Sequence, residues 1–140
     1  MPKAYVVLPR RASAAAAGAG APDPDHTVEF IAMRHDWLRT CFNLQPQDVQ
    51  MITAIGDSME PGICDGDLLL VDTTQTSFTE FGVYVFEARG EKLVKRVQRK
   101  FDGTLYVISD NVVYQPEIIA GPLVSEITII GKVVWRAGRI

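Results

Sequence analysis

The sequence predicts a mainly β domain with one or two short helices. Short apolar runs recur along the chain, and turn chemistry (Gly, Pro or Asp-Gly) closes most of them, which is the punctuation of strands. Two neighbouring runs, Gly82 to Ala88 and Lys92 to Lys100, flank Arg89-Gly90-Glu91 as the arms of a hairpin do. Helical spacing of apolar residues appears at Trp37 to Phe42, a short stretch.

Composition bounds the rest. The chain has 140 residues, 47% hydrophobic and 22% charged, which fits one globular domain with a real core. A net charge of −3 and the lack of a basic patch interleaved with aromatics give no general attraction to phosphate, so this chain alone is not expected to bind DNA. Cys41 and Cys64 form no CxxC pair and suit a reducing cytosol, where they are expected as buried small hydrophobes. Asp65-Gly66-Asp67 lacks the spacing of a calcium loop, and His26 and His35 make no zinc set; no metal or cofactor is expected. No apolar run is long enough to span a membrane, and the N-terminus lacks a charged-then-apolar leader, so the expected location is cytoplasmic.

Taken in order, Lys3 to Leu8 reads as a strand ended by Pro9 and Arg10-Arg11. Ala12 to Asp25 is a low-complexity stretch of small residues and prolines that reads as a linker, which divides the chain into residues 1–27 and a domain over 28–140. Val28 to Met33 is a strand; Asp36 is placed to cap the helix Trp37 to Phe42, with Trp37, Leu38, Cys41 and Phe42 toward the core. Asn43 to Asp48 is a loop into the strand Met51 to Ile55, and Leu68 to Val71 follows as a further strand. After the hairpin, Phe101-Asp102-Gly103 turns into Leu105 to Ile108. Ile127 to Trp135 is too continuously apolar for a strand with one wet face, and is expected buried on both sides or at a subunit interface.

Between the strands lies Gly56-Asp57-Ser58-Met59-Glu60-Pro61-Gly62, a tight connection in which Pro61 and Gly62 forbid a long regular element. Such a turn exposes side chains and backbone amides together. One helical turn after Ser58 would leave its first N–H groups unpaired, aimed where an oxyanion forms in acyl transfer. The competing reading is that Asp57 and Ser58 merely satisfy turn hydrogen bonds. A nucleophile needs a base, and neither His26 nor His35 falls in a Ser/His/Asp pattern. Lys95 is the candidate: alternation along Glu91 to Arg99 puts it on the more apolar face with Leu93 and Val97. A solvated lysine, with a pKa of about 10.4, is a poor base near neutrality. Burial can lower that pKa by about 3–5 units and yield a neutral amine.

Gly-Asp-Ser-Met-x-Pro, the Asp65-Gly66-Asp67 turn and an apolar strand, then Val94-Lys95-Arg96 with Lys95 37 positions after Ser58, resemble the Ser-Lys self-cleaving domain of LexA, UmuD and phage CI-type repressors. Ser109-Asp110-Asn111, Tyr114-Gln115-Pro116 and the closing Ile129 to Trp135 extend the resemblance, which runs from about Val28 to the C-terminus. It implies a signal-peptidase-like fold of twisted antiparallel or mixed β-sheets. It also implies Ser58 as nucleophile, Lys95 as general base and the amides of Asp57 and Ser58 as oxyanion donors. The scissile bond it suggests is Ala-Gly, and the linker offers Ala19-Gly20, 38 positions before Ser58, with Ala17-Gly18 as the alternative. Expected partners are a second copy of the chain, a RecA filament on single-stranded DNA that stimulates cleavage, and DNA only through an N-terminal helix-turn-helix domain outside these residues. Two other readings stay open: a non-cleaving dimerisation module controlled by an antirepressor protein, and a complete UmuD-like accessory protein of a translesion polymerase. Signal peptidases share the dyad but are tethered by transmembrane helices, which this sequence does not supply.

Overall fold

The computed structural model describes residues 5–15 and 29–140. Its strands are β1 (Tyr5–Ala15), β2 (Glu29–Arg34), β3 (Val49–Ala54), β4 (Leu68–Asp72), β5 (Gly82–Ala88), β6 (Glu91–Arg99), β7 (Leu105–Ile108), β8 (Glu117–Ile119) and β9 (Thr128–Ala137). One α-helix, α1 (His35–Phe42), and two 3₁₀ turns, Pro46–Asp48 and Gly121–Glu126, complete the described residues. The strands join in one sheet in the order β2-β1-β3-β4-β9-β5-β6-β7-β8. Every neighbouring pair is antiparallel except β1 with β3, which is parallel. The mainly β expectation holds, and no helix among the described residues is long and apolar enough to cross a membrane.

Strand alternation sorts the core into clusters. Ile52, Leu69, Val71, Val85 and Val94 pack with Met59 and Ile63 from the serine turn. Their sequence neighbours Met51 and Leu70 point the other way and pack with Leu8, Met33 and Leu38. Tyr84, Phe86, Val97 and Leu105 form a third cluster around Phe78. Both faces of the central strands are therefore covered. β9 touches all three clusters, through Ile130 and Val133, through Val134 and Trp135, and through Ile129, but these side chains are only partly buried, so the expected burial on both sides is met only in part.

Several expectations are corrected. The first strand does not stop at Pro9 but continues to Ala15. Pro9 is tolerated because β1 there has β2 as its one partner; pairing to β3 begins at Arg10, opposite Met51. Ala12 and Ala15 are strand, set opposite Thr53 and Ala54, because a backbone ladder asks nothing of side chains that a small residue lacks. Asp36 is not the cap of α1: Arg34 holds that position without a side-chain cap, and Asp36 lies in the first turn, 3.7 Å from the Arg34 guanidinium. Leu38 is fully buried, with Trp37 and Phe42 packed beside it, but Cys41 is exposed. Cys64 is exposed too. The stretch before β9 also holds β8 and a 3₁₀ turn, neither foreseen.

Gly131 sits where β9 crosses closest to β4. A β-carbon there would collide with the Asp72 carbonyl oxygen and the Val71 side chain. Gly131→Ala is expected to cost roughly 1–3 kcal/mol, as overpacking of a filled interior does. Urea unfolding followed by far-UV circular dichroism should show the midpoint falling at an unchanged slope.

Candidate active site

The serine turn is closed at its base by backbone. Ala54 N–H donates to Asp67 O at 2.9 Å and Gly66 N–H to Ala54 O at 2.8 Å, so residues 55–66 form one loop on a two-bond stem. The aspartates of the following turn brace it: Asp65 Oδ1 accepts the Gly56 N–H at 2.7 Å, and buried Asp67 accepts the Cys64 N–H at 2.8 Å. Arg136 of β9 supplies the counter-charge to Asp67 at 3.4 Å. Within the loop, Glu60 N–H donates to Asp57 O at 3.1 Å and Ile63 N–H to Met59 O at 2.9 Å, two turn bonds in place of the helical turn expected after Ser58. The N–H groups of Asp57 and Ser58 make no hydrogen bond to any described residue. Met59 and Ile63 are sunk in the core and anchor the turn from below. Ser58 is buried, and a small pocket beside it is lined by Ala54, Ile55, Gly56, Met59, Ile63 and Val94.

Lys95 comes from the middle of β6, opposite Tyr84 of β5. Leu93 and Val97 join the third core cluster while Val94 joins the one beneath Ser58, so β6 is covered on both faces. The Lys95 side chain is half-buried, and its ammonium donates to Ser109 Oγ at 2.9 Å. Burial pushes its pKa down from the ordinary 10.5, partly offset by the negative charge of Glu117. Among the described residues no hydrogen bond joins Ser58 to Lys95.

The segment that follows β7 connects the two. The β6–β7 register sets Arg96 opposite Ile108, so Ser109 and Asp110 arrive beside Lys95 and Arg96. Asp110 accepts both arms of the Arg96 guanidinium at 2.8 Å, a bidentate ion pair that fixes the segment. From there it grips the serine turn. Asn111 N–H donates to Ser58 O at 3.0 Å, Asn111 Nδ2 to Asp57 O at 3.0 Å, and the Tyr114 hydroxyl to Asp57 Oδ1 at 2.6 Å. Asp110 N–H points at the Met59 sulfur, 3.5 Å away. The Tyr114 ring also lies 5.9 Å from the Lys95 ammonium, and its bond to Asp57 raises the phenol pKa. Ser109, Asn111 and Tyr114 were visible in the sequence only as parts of a motif. Nothing local tells their contacts, which cross 14 residues to Lys95 and more than 50 to the serine turn. Ala17, Gly18, Ala19 and Gly20 lie outside the described residues.

A family model described as Peptidase S24-like matches residues 10–134. The chain belongs to this family. The S24-like chain is 37% identical over 131 residues to the "26 kDa repressor protein" of Escherichia phage HK022, covering 93% of the chain and 55% of that protein. It is 29% identical over 99 residues to an uncharacterized HTH-type transcriptional regulator of Haemophilus influenzae, covering 71% of the chain and 41% of that regulator. It thus spans about half the length of the curated relatives it matches.

The lowered pKa of Lys95 has a consequence for stability. A lysine that binds its proton more weakly when folded makes the protein less stable below the folded pKa, and that deficit disappears as pH rises to the unfolded value of 10.5. Lys95→Met is therefore expected to raise the urea midpoint near neutral pH. The advantage should shrink with rising pH through the folded pKa; an advantage constant in pH would contradict the burial.

Proposed function

We propose that this chain is the self-cleaving regulatory and dimerisation domain of a phage-type or SOS-type transcriptional repressor, with residues 28–140 as the peptidase-like unit and the region before them carrying the bond that is cut. Ser58 Oγ attacks the carbonyl carbon of Ala19, with Ala17 as the alternative. Lys95, neutral, takes the serine proton and passes it to the leaving amine of Gly20. The Asp57 and Ser58 amides receive the oxyanion. One observation carries the reading: a half-buried lysine with a lowered pKa hangs on the same segment that grips a buried serine flanked by amides that bond no described residue. The pocket beside Ser58, walled by Ala54, Met59, Ile63 and Val94, suits an alanine-sized side chain. The pairing of Ala15 with Ala54, four positions before Ser58, adds support, since the chain leaves β1 beside the strand that enters the serine turn.

Because Lys95 bonds Ser109 and not Ser58, the described state is the resting one, and control lies in whether the cleavage segment docks and brings the pair together. A RecA filament on single-stranded DNA is the partner we assign to that step, with DNA reached through a helix-turn-helix domain elsewhere in the whole repressor. The same Lys95–Ser109 bond favours a second reading, a non-cleaving dimerisation module answering to an antirepressor protein.

Incubation at about pH 10, where Lys95 loses its proton unaided, separates them. Intact mass should reveal a cut after Ala19 or Ala17, absent from Ser58→Ala and Lys95→Ala. The rate should rise with pH through the lowered pKa of Lys95, below the 10.5 of an ordinary lysine. An unchanged mass at high pH and with RecA filaments overturns the self-cleaving reading.

A further inference from the structure

We infer that Asn111 is a positioning residue for the Ser58 N–H, one of the two oxyanion donors of this site, an assignment that rests on the self-cleavage reading above. The Asp57 carbonyl oxygen accepts two hydrogen bonds, from Glu60 N–H at 3.1 Å and from Asn111 Nδ2 at 3.0 Å. A carbonyl has two lone pairs, and with both occupied the Asp57–Ser58 peptide plane cannot turn without breaking one bond. That peptide is trans, so its N–H, which is Ser58's own, points away from the carbonyl and its two donors. The N–H stays unpaired to any described residue. Donation into the carbonyl also polarises the peptide and strengthens the N–H as a donor.

Asn111 is itself held. Its Oδ1 accepts the Val113 N–H at 3.1 Å, which commits the other end of the amide to Asp57. Its backbone N–H takes the Ser58 carbonyl at 3.0 Å, so one residue fixes the peptide before the serine and the peptide after it. Asn111 bonds neither Ser58 Oγ nor Lys95, so its influence passes through the backbone. Tyr114 differs, because it holds only the Asp57 side chain and leaves the peptide plane alone.

The test uses Asn111→Asp, which keeps the acceptor for Val113 and sets a carboxylate against the Asp57 carbonyl, and Asn111→Ala, with Ser109→Ala as a comparison. Two rates are measured from about pH 7 to about pH 10.5. One is self-cleavage. The other is labelling of Ser58 by diisopropyl fluorophosphate, in which a serine O–P bond forms, the P–F bond breaks, fluoride leaves and Lys95 takes the proton. Labelling needs no scissile bond at Ser58, only Lys95 within reach of the hydroxyl, and still places a phosphoryl oxygen on the donors.

Both Asn111 variants should lose about 10–100-fold in plateau rate, less than the ~10²–10³-fold typical of deleting an oxyanion donor outright. The midpoint of the pH profile should stay put in Asn111→Ala, since it reports Lys95, whereas the new carboxylate of Asn111→Asp should raise it and Ser109→Ala, which removes the ammonium's hydrogen-bond partner, should move it. Rates within about twofold of the parent, or a midpoint that moves with the rate in Asn111→Ala, overturn the assignment. Loss of fold in both Asn111 variants, read by circular dichroism, overturns it in favour of a structural staple. A parent that is labelled but does not cut itself removes the self-cleavage reading, and the labelling rates still decide Asn111. A parent neither labelled nor cut overturns both.

Discussion

Holding a lysine out of water is the constraint on which this site depends. An ammonium on β6 loses hydration when both faces of the strand are covered, and the covering comes from the two core clusters that meet there. Only one neutral hydroxyl, that of Ser109, is hydrogen-bonded to it among the described residues. Of the nearby carboxylates, Glu117 acts on it through charge and partly restores the pKa, whereas Asp110 is clamped by Arg96 and Asp57 is bonded to Tyr114. Had Asp110 faced Lys95 instead, the ion pair would have raised the Lys95 pKa where burial lowers it. The Arg96–Asp110 pair therefore matters to Lys95 although it never touches it.

The same segment sets the geometry of the serine turn. Arg96 fixes Asp110, Asp110 precedes Asn111, and Asn111 holds the peptides around Ser58, so the strand that carries the lysine also anchors the clamp on the serine. Below, Met59 and Ile63 tie the turn to the core, and Asp65 and Asp67 close its stem. The turn is rigid because backbone, carboxylates and core each hold a different part of it.

Much of this was legible in the sequence. The mainly β class, the hairpin of β5 and β6 and the strand β7 follow from local periodicity and turn residues, which are nearest-neighbour properties. The aspartate turn was legible as a turn, but its service to Gly56 and Cys64 was not. Ser109, Asn111 and Tyr114 escaped because their partners are chosen by strand register, which no local pattern encodes. Ala12 and Ala15 escaped for the opposite reason: strand pairing runs through the backbone, and a run of alanines gives the sequence no alternating signal. The exposed Cys41 and Cys64 show that a residue type often buried is not placed by its type.

The divided pairing of β1 has a further consequence. Its first half is zipped to β2 and its second half to β3, and both Ala-Gly bonds lie beyond its last residue, Ala15. Cutting either bond would turn an intramolecular strand into a separate peptide held by hydrogen bonds and side-chain contacts alone. The nicked molecule would remain whole until that peptide peels away, at a rate set by the ladder and not by the chemistry. Anything joined to the N-terminal side of β1 would stay attached for that interval, so severing the chain and releasing its two parts are separate events, the second sensitive to dilution and temperature.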